Sequence, residues 1–483
     1  MKDHLRKKQL LDKTLISISD LLLIFSGITF AFLYLILSYN DRAAFSDLDG
    51  IAMLKNKSAL ENIILFYQEW SGRWASISYF YMVLSGSNTF LGIFHWIFIY
   101  YCLILFTLIY SVHAIIRIGT EKLFNTSIDR KTALIYSLLF IACFYYSTFA
   151  NIEAWWWICA SFDYLQGITF LLLGIVFLLK EKKNIFHYIL ISLCFIYVGG
   201  GYEVYSLIVE SLCISLIIYF LMKKDFAFFS FKTNIYLKGF IVAFTSLVLA
   251  SIISFSAPGN QNQKRTILAS DSLPNNTSII HFPFSDEPFV LDKKYIVAIG
   301  ISSLWLLLGM KIKTGNDKPE NIKRIKKALI IVGFPLILSI IVTFFFQAFI
   351  LGNIMDVPGR GWTFTSFALS CFSCFLFLII GYLIHFSTLF FQFLVRIIAP
   401  SIIFIILILN LVKQYNYTTN YAKSYDQLIN LLLTEKNNMK TGTLFVKDLP
   451  NSGMLMQLDI KDENATRNLV ELFDLNFEIK LMK

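Results

Sequence analysis

Charge is scarce in this sequence. Asp, Glu, Lys and Arg together make up 15% of the 483 residues, whereas an average soluble domain carries roughly 25%. So few ionic groups could not cover the surface of a soluble enzyme of this length. The 6 histidines stand apart at 4, 95, 113, 187, 281 and 385. None has HExxH or other ligand spacing, so no metal is expected. Neither GxxxxGK(S/T) nor GxGxxG occurs, so no nucleotide site is expected either. The 7 cysteines (102, 143, 159, 194, 213, 371 and 374) all lie in or beside apolar blocks. That excludes a disulfide framework and a zinc ribbon. Cys371 and Cys374 form a CxxC, but inside an apolar stretch, and are expected to pack.

Apolar bulk is abundant instead. Hydrophobic residues reach 57% and aromatics 17%, with 48 Phe and 24 Tyr, and mean hydropathy is +0.64. Disorder, a collagen-like repeat and a coiled-coil rod are excluded. The apolar residues come in blocks of about 18 or more, the length of a spanning helix. Barrel strands alternate and run only about 10 residues, so the expected fold is an all-α polytopic membrane protein. The spacing predicts eleven spans: 14–38, 90–116, 132–150, 163–179, 185–199, 203–222, 236–256, 295–310, 328–350, 364–386 and 391–412. The first is too long, and lacks the small-residue cleavage site, for a removed signal peptide. Gly199, Gly200 and Gly201 mark either a turn or a broken helix between the fifth and sixth.

The net charge of +10 is read loop by loop rather than as a sign of nucleic-acid binding, and no nucleic-acid partner is expected. The N-terminus and segments 117–131, 180–184, 222–235 and 311–327 hold 22 Lys and Arg; the alternate segments before the tail hold 9. Positive charge collects on the cytoplasmic side, so the N-terminus is expected inside. An odd number of spans then puts the tail, 413–483, outside.

The opposite segments, 39–89, 151–162, 199–202, 257–294 and 351–363, carry the chemically distinctive residues. They include Asp47 and Asp49, Trp70-Ser71-Gly72-Arg73, Glu153 with Trp155, Trp156 and Trp157, then Asp163-Tyr164 and Gly201-Tyr202-Glu203. Pro258-Gly259-Asn260, Lys264-Arg265 and Arg360 follow. Ionisable groups beside hydrocarbon tend to line a cavity or path. Each also has a plainer reading. Ser46-x-x-Asp49 is a capping-box spacing, which would leave Asp47 to face the cavity. Glu69 and Arg73 are an i,i+4 pair. The tryptophans could form an interfacial belt.

Ser58-Ala59-Leu60-Glu61 is a second capping box. It opens a helix with Ile63, Phe66, Tyr67 and Trp70 on one face, expected to lie in the interface. Residues 74–86 are apolar but too short to span, and read as a second interfacial or half-buried helix. In the tail, 421–435 reads as an amphipathic helix (Tyr421, Tyr425, Leu428, Leu432), 442–447 as a strand and 464–474 as a short helix. A unit of that size should lean on the outer loops.

This constellation resembles the GT-C superfamily of integral-membrane glycosyltransferases. More narrowly it resembles a bacterial branch related to glucosyltransferases that decorate surface polysaccharides. The resemblance rests on the acidic pair Asp47 and Asp49 after the first span, then Trp70-Ser71-Gly72-Arg73, Ala160-Ser161-Phe162-Asp163-Tyr164, Gly200-Gly201-Tyr202-Glu203 and Pro258-Gly259-Asn260 with Arg265. The order of the motifs and their shared membrane side carry it over nearly the whole chain. Two departures stand out: Leu48 splits the acids, and Asp163 replaces the expected Asn.

The resemblance implies a bundle of about eleven helices over 1–412, with interfacial helices in 39–89, and a small extracytoplasmic α/β unit over 413–483. It implies residence in a bacterial cytoplasmic membrane. The implied reaction moves a sugar from a polyprenyl-phosphate donor to a cell-surface glycan or lipid acceptor, with no cofactor. Asp47 or Asp49 would be the base, Asp47 being favoured because Asp49 has the capping spacing; Glu153, Asp163 and Glu203 are the further candidates. Arg73, Lys264, Arg265 and Arg360 would hold the donor phosphate. Glu153, Trp156, Asp163, Tyr164, Glu203 and Asn260 would contact sugar or acceptor. A polysaccharide polymerase or ligase, and a flippase of lipid-linked sugars, are the alternatives.

Overall fold

The computed structural model describes residues 2–44, 46–86, 89–222, 235–260, 293–312, 318–351, 359–383, 389–439 and 441–482. Helix dominates, as the apolar blocks require, and the chain is an all-α polytopic membrane protein. Among the described residues, eight helices are long and apolar enough to cross a membrane: Thr14–Asn40, Phe90–Phe124, Ile158–Leu179, Leu237–Phe255, Lys293–Ile312, Ile322–Thr343, Thr363–Leu383 and Phe391–Asn438. The other three expected spans fall on the helices Arg130–Ser147, Ile185–Gly201 and Glu203–Met222.

The elements that build the site are α1 (Lys2–Asn40), α2 (Ser46–Asn56), α3 (Ala59–Glu69), α4 (Trp74–Leu84), α5 (Phe90–Phe124), α6 (Arg130–Ser147), α7 (Asn151–Trp156), α8 (Ile158–Asp163), α9 (Leu165–Leu179), α10 (Ile185–Gly201), α11 (Glu203–Met222) and α12 (Ile235–Phe255). Their ends follow local chemistry. Thr89, Asp129 and Asn184 accept N-terminal amides of α5, α6 and α10, supplying partners that helix geometry leaves out. Ser58 and Glu61 form the expected capping box of α3. On that helix Ile63, Phe66 and Tyr67 are half-buried, while Leu60, Ile64 and Trp70 are exposed. Helix α4 is buried through Ala75, Ser76, Ile77, Phe80, Tyr81 and Leu84. The three glycines end one helix and precede another, because Tyr202 between α10 and α11 is extended.

Trp155 and Trp156 do not form a belt. Both are almost fully buried in an aromatic core, with the Trp156 ring 5.0 Å from Tyr34 and 5.3 Å from Tyr101. Their indole N–H groups donate to Thr148 Oγ1 at 3.2 Å and to the Tyr145 hydroxyl at 3.1 Å. A ring with its polar atom satisfied inside the protein has no need of the interface.

The expected boundary at 412 falls inside one helix, Ala399–Asn438. With the turn before it, the apolar helix Phe391–Asn438 runs 48 residues. That is about 72 Å, well beyond the ~30 Å hydrocarbon layer. Its far half buries Tyr421, Tyr425, Leu428 and Leu432, the face expected from their spacing. Against it packs the helix Glu463–Phe473, which in turn meets a two-stranded parallel sheet of Thr443–Val446 and Glu478–Leu481. This unit is fastened to the first loop. Arg42 grips Asp426 through Nε at 2.8 Å and Nη2 at 2.9 Å, Lys55 meets Asp474 at 2.6 Å, and the Phe90 and Phe473 rings are 5.1 Å apart.

Candidate active site

Arg73 lies just before α4 and holds two distant carboxylates. Its Nη1 donates to Asp163 Oδ2 at 2.8 Å and its Nε to Glu203 Oε2 at 3.1 Å. The guanidinium sits 4.8 Å over the Tyr202 ring. Ser76, one turn into α4, donates to the other Asp163 oxygen at 2.5 Å. The i,i+4 pairing with Glu69 is absent from this arrangement because α3 ends at Glu69 and the chain turns at Trp70. Asp163 closes α8 and Glu203 opens α11, so one guanidinium ties α4, α8 and α11 together.

A glycine seam fixes where Arg73 sits. The Gly72 amide donates to Asn260 Oδ1 at 2.9 Å, and Asn260 Nδ2 donates to the Ser254 carbonyl at 2.8 Å. A Cβ on Gly72 would stand 1.9 Å from that same carbonyl oxygen, and one on Gly259 would stand 2.6 Å from the Trp70 nitrogen. The backbones of the two motifs therefore touch, which only residues without side chains allow. Gly200 is pressed against Trp74 in the same way, its missing Cβ 2.6 Å from the indole ring. The Trp74 Nε1 is buried there without a hydrogen-bond partner among the described residues. A buried orphan donor costs roughly 1–3 kcal/mol.

The two acids of the first loop have different surroundings, and Asp47, expected to face a cavity, is held by backbone amides. Asp47 is fully buried. One of its oxygens accepts from the Cys159 amide at 2.8 Å and the other from the Ala44 amide at 3.2 Å, and the Ile158 amide adds to these. Burial pushes its carboxyl up to about 7, against those amide bonds, and nearby Asp49 adds to the rise. Asp47 thus pins the start of α2 to the start of α8. Asp49 is exposed and faces Asn468 and Arg467 of the helix Glu463–Phe473; partial burial and Glu471 raise its carboxyl. Helix α2 already begins at Ser46, so Ser46 lies inside the helix rather than at the capping position before it.

Sequence reasoning passed over Asp41. It is buried beside Asp47, accepts from the Tyr101 hydroxyl at 3.0 Å, and is raised well above the carboxylate range by burial and by Asp47. Its position directly after the first span was the available signal.

The other expected site residues are distributed as follows. Tyr164 is buried, with its ring 4.9 Å from Tyr202. Glu153 is half-buried in α7. Trp156 is inside the aromatic core and presents no face to a ligand. The backbone of Arg360 lies in a short helix, Gly359–Trp362. Lys264 and Arg265 lie outside the described residues. Among the described residues no cluster of three His, Cys, Asp or Glu side chains is arranged to hold a metal. A cavity of about 490 Å³ lies between α2, the start of α5 and the helix Glu463–Phe473, and its lining includes none of Asp47, Arg73, Asp163 and Glu203.

No family model and no curated protein matches the chain.

Proposed function

We propose that the chain is a membrane glycosyltransferase. It takes a sugar from a polyprenyl-phosphate donor and passes it to a surface glycan or lipid on the extracytoplasmic side. One observation carries this reading: four motifs scattered from Trp70 to Asn260 meet around Arg73, and Asp47 holds the start of α8, the helix that ends at Asp163. A cation between two carboxylates, beside apolar helices that a lipid tail can follow, suits a charged headgroup carrying a sugar. The 22 to 9 distribution of Lys and Arg supports an inside N-terminus and an outside tail.

In this reaction a carboxylate takes the proton of the acceptor hydroxyl. The acceptor oxygen attacks the anomeric carbon, and the bond from that carbon to the phosphate oxygen breaks. The electron pair leaves on the phosphate, where cations stabilise it. Arg73 is the phosphate ligand within the cluster, and Arg265, Lys264 and Arg360 are the further candidates. Phosphate arriving at Arg73 competes with its carboxylates and frees one. Glu203 is the more exposed of the two, 17% against 9% for Asp163, and we assign it the base. Asp47, with both oxygens on backbone amides, positions α8 and hence Asp163.

Purified protein offered a panel of radiolabelled polyprenyl-phosphate sugars tests the reading. Release of polyprenyl phosphate with one labelled sugar per acceptor supports it. Long chain products would favour a polymerase, and no turnover with any donor would count against transfer altogether.

A further inference from the structure

We propose that the cationic seam joining the α9–α10 turn, the end of α5 and the helix Lys318–Ala328 binds the headgroup of an anionic phospholipid. The seam does not rest on the transferase reading. Across 121–124, 180–184 and 322–327 stand eight Lys and Arg against two carboxylates, Glu121 and Glu181. Lys122 joins the three segments. Its ammonium meets Glu181 at 3.6 Å, and its carbonyl accepts from Lys327 Nζ at 3.1 Å. Arg324 Nη1 donates to the Phe124 carbonyl at 2.8 Å. The helix Lys318–Ala328 is thus fastened across the C-terminus of α5, the end that favours cations.

Two of these cations crowd each other. Lys183 Nζ donates to the Lys180 carbonyl at 2.7 Å, and its Cε lies 3.2 Å from where a Cβ on Gly239 of α12 would stand. The side chain is held there, near Lys122. Burial and the Lys122 charge push the Lys183 ammonium down to about 8. An anion at the seam relieves that repulsion. Lys182, Lys323 and Lys326 are exposed, and none has a hydrogen bond or ion pair among the described residues. A basic cluster of this size at the end of a spanning helix attracts anionic lipid.

The adjoining surface selects a lipid over a free anion. Ile185 and Phe186 follow closely after Lys182 and Lys183 and are exposed, with Ile189 one turn further on. Beyond Lys326 and Lys327, Leu329 and Ile330 are exposed as well. These residues open the apolar helices Ile185–Gly201 and Ile322–Thr343. The ammonium groups therefore rim a surface that faces hydrocarbon, and lysine stems can lie along it while their heads stay at headgroup level. One lipid meets both parts, its phosphate on the lysines and its acyl chains on the isoleucines. A soluble phosphate compound leaves the apolar rim unused.

The test is native mass spectrometry of the full-length protein in detergent, offered dioleoyl phosphatidylglycerol and dioleoyl phosphatidylcholine in equal amounts. Phosphatidylglycerol should be retained in preference. Combining Lys182→Gln, Lys323→Gln and Lys326→Gln should cut that preference about tenfold or more, since one lysine near anionic lipid counts for about fivefold. Thermal unfolding should not change, because all three side chains are exposed and unpaired. Lys182→Glu alone should show part of the loss. Combining Lys423→Gln and Lys447→Gln, exposed positions of the tail, should keep the preference. Equal retention of the two lipids, a preference untouched by the seam variants, or the same loss in the tail control would overturn the proposal. Displacement of the lipid by excess glycerol 3-phosphate would give the seam to a free anion and overturn it too.

Discussion

The backbone amide of Gly72 donates to the side chain of Asn260 at 2.9 Å across 188 positions of sequence. This bond sets the turn that presents Arg73, and the close approach beside it leaves no room for a Cβ on either Gly72 or Gly259.

Gly72→Ala and Gly259→Ala should therefore each destabilise the protein by about 1–3 kcal/mol, the scale of overpacking. Because both open the same seam, the double variant should lose less than the sum. Thermal unfolding in detergent measures this. Additive losses, or none, would mean that the seam does not couple the two motifs.

Asp47 gives a pH prediction. Its folded carboxyl titrates near 7, whereas an unfolded Asp titrates near 3.9. Between these values the folded state keeps a proton that the unfolded state has released. Stability falls as pH rises through that window, by at most about 1.4 kcal/mol per pH unit, and the penalty is complete above about 7. Asp47→Asn removes the titration. Its Tm relative to wild type should be more favourable at pH 8 than at pH 5. A pH-independent difference between the two proteins would show that Asp47 is not held in this way.

Eight of the expected spans were legible because apolar runs of membrane length report themselves, and the buried face of the far half of Ala399–Asn438 was legible from the spacing of Tyr421, Tyr425, Leu428 and Leu432. The motifs around the site could each be read, but their partners could not. Glu69 stood at helical spacing from Arg73, and nothing local showed that α3 stops there and leaves Arg73 to residues 90 and 130 positions away. In helix α2 the two-residue spacing turns Asp47 and Asp49 to different sides. Which of them turns inward depends on where α2 meets α8, a tertiary fact. The tryptophan run looked interfacial because sequence does not show that Thr148 and Tyr145 satisfy the indoles inside the protein.

The two-point grip of Arg42 on Asp426 should hold the tail in place. Arg42→Lys keeps the charge but loses the fork, and Asp426→Asn loses the charge. Each should cost about 1–3 kcal/mol, and limited proteolysis should release the tail faster. A double-mutant cycle should show coupling between the two positions. Unchanged cleavage of the tail in both variants would contradict the grip.

Orientation is tested by reporters. A fusion after Lys483 should be active with a reporter that works only outside the cytoplasm, and one before Met1 should be silent with it. A C-terminal fusion active only with a cytoplasmic reporter would reverse the proposed side of the Arg73 cluster.

Sugar transfer by Glu203→Gln is the most direct measurement. With donor and acceptor identified from the radiolabelled panel, the variant should fold and still bind donor. Its kcat should fall by about 10²–10⁴-fold, the contribution of a general base. Wild-type turnover by Glu203→Gln would contradict the assignment of the chemistry to the carboxylates that Arg73 holds.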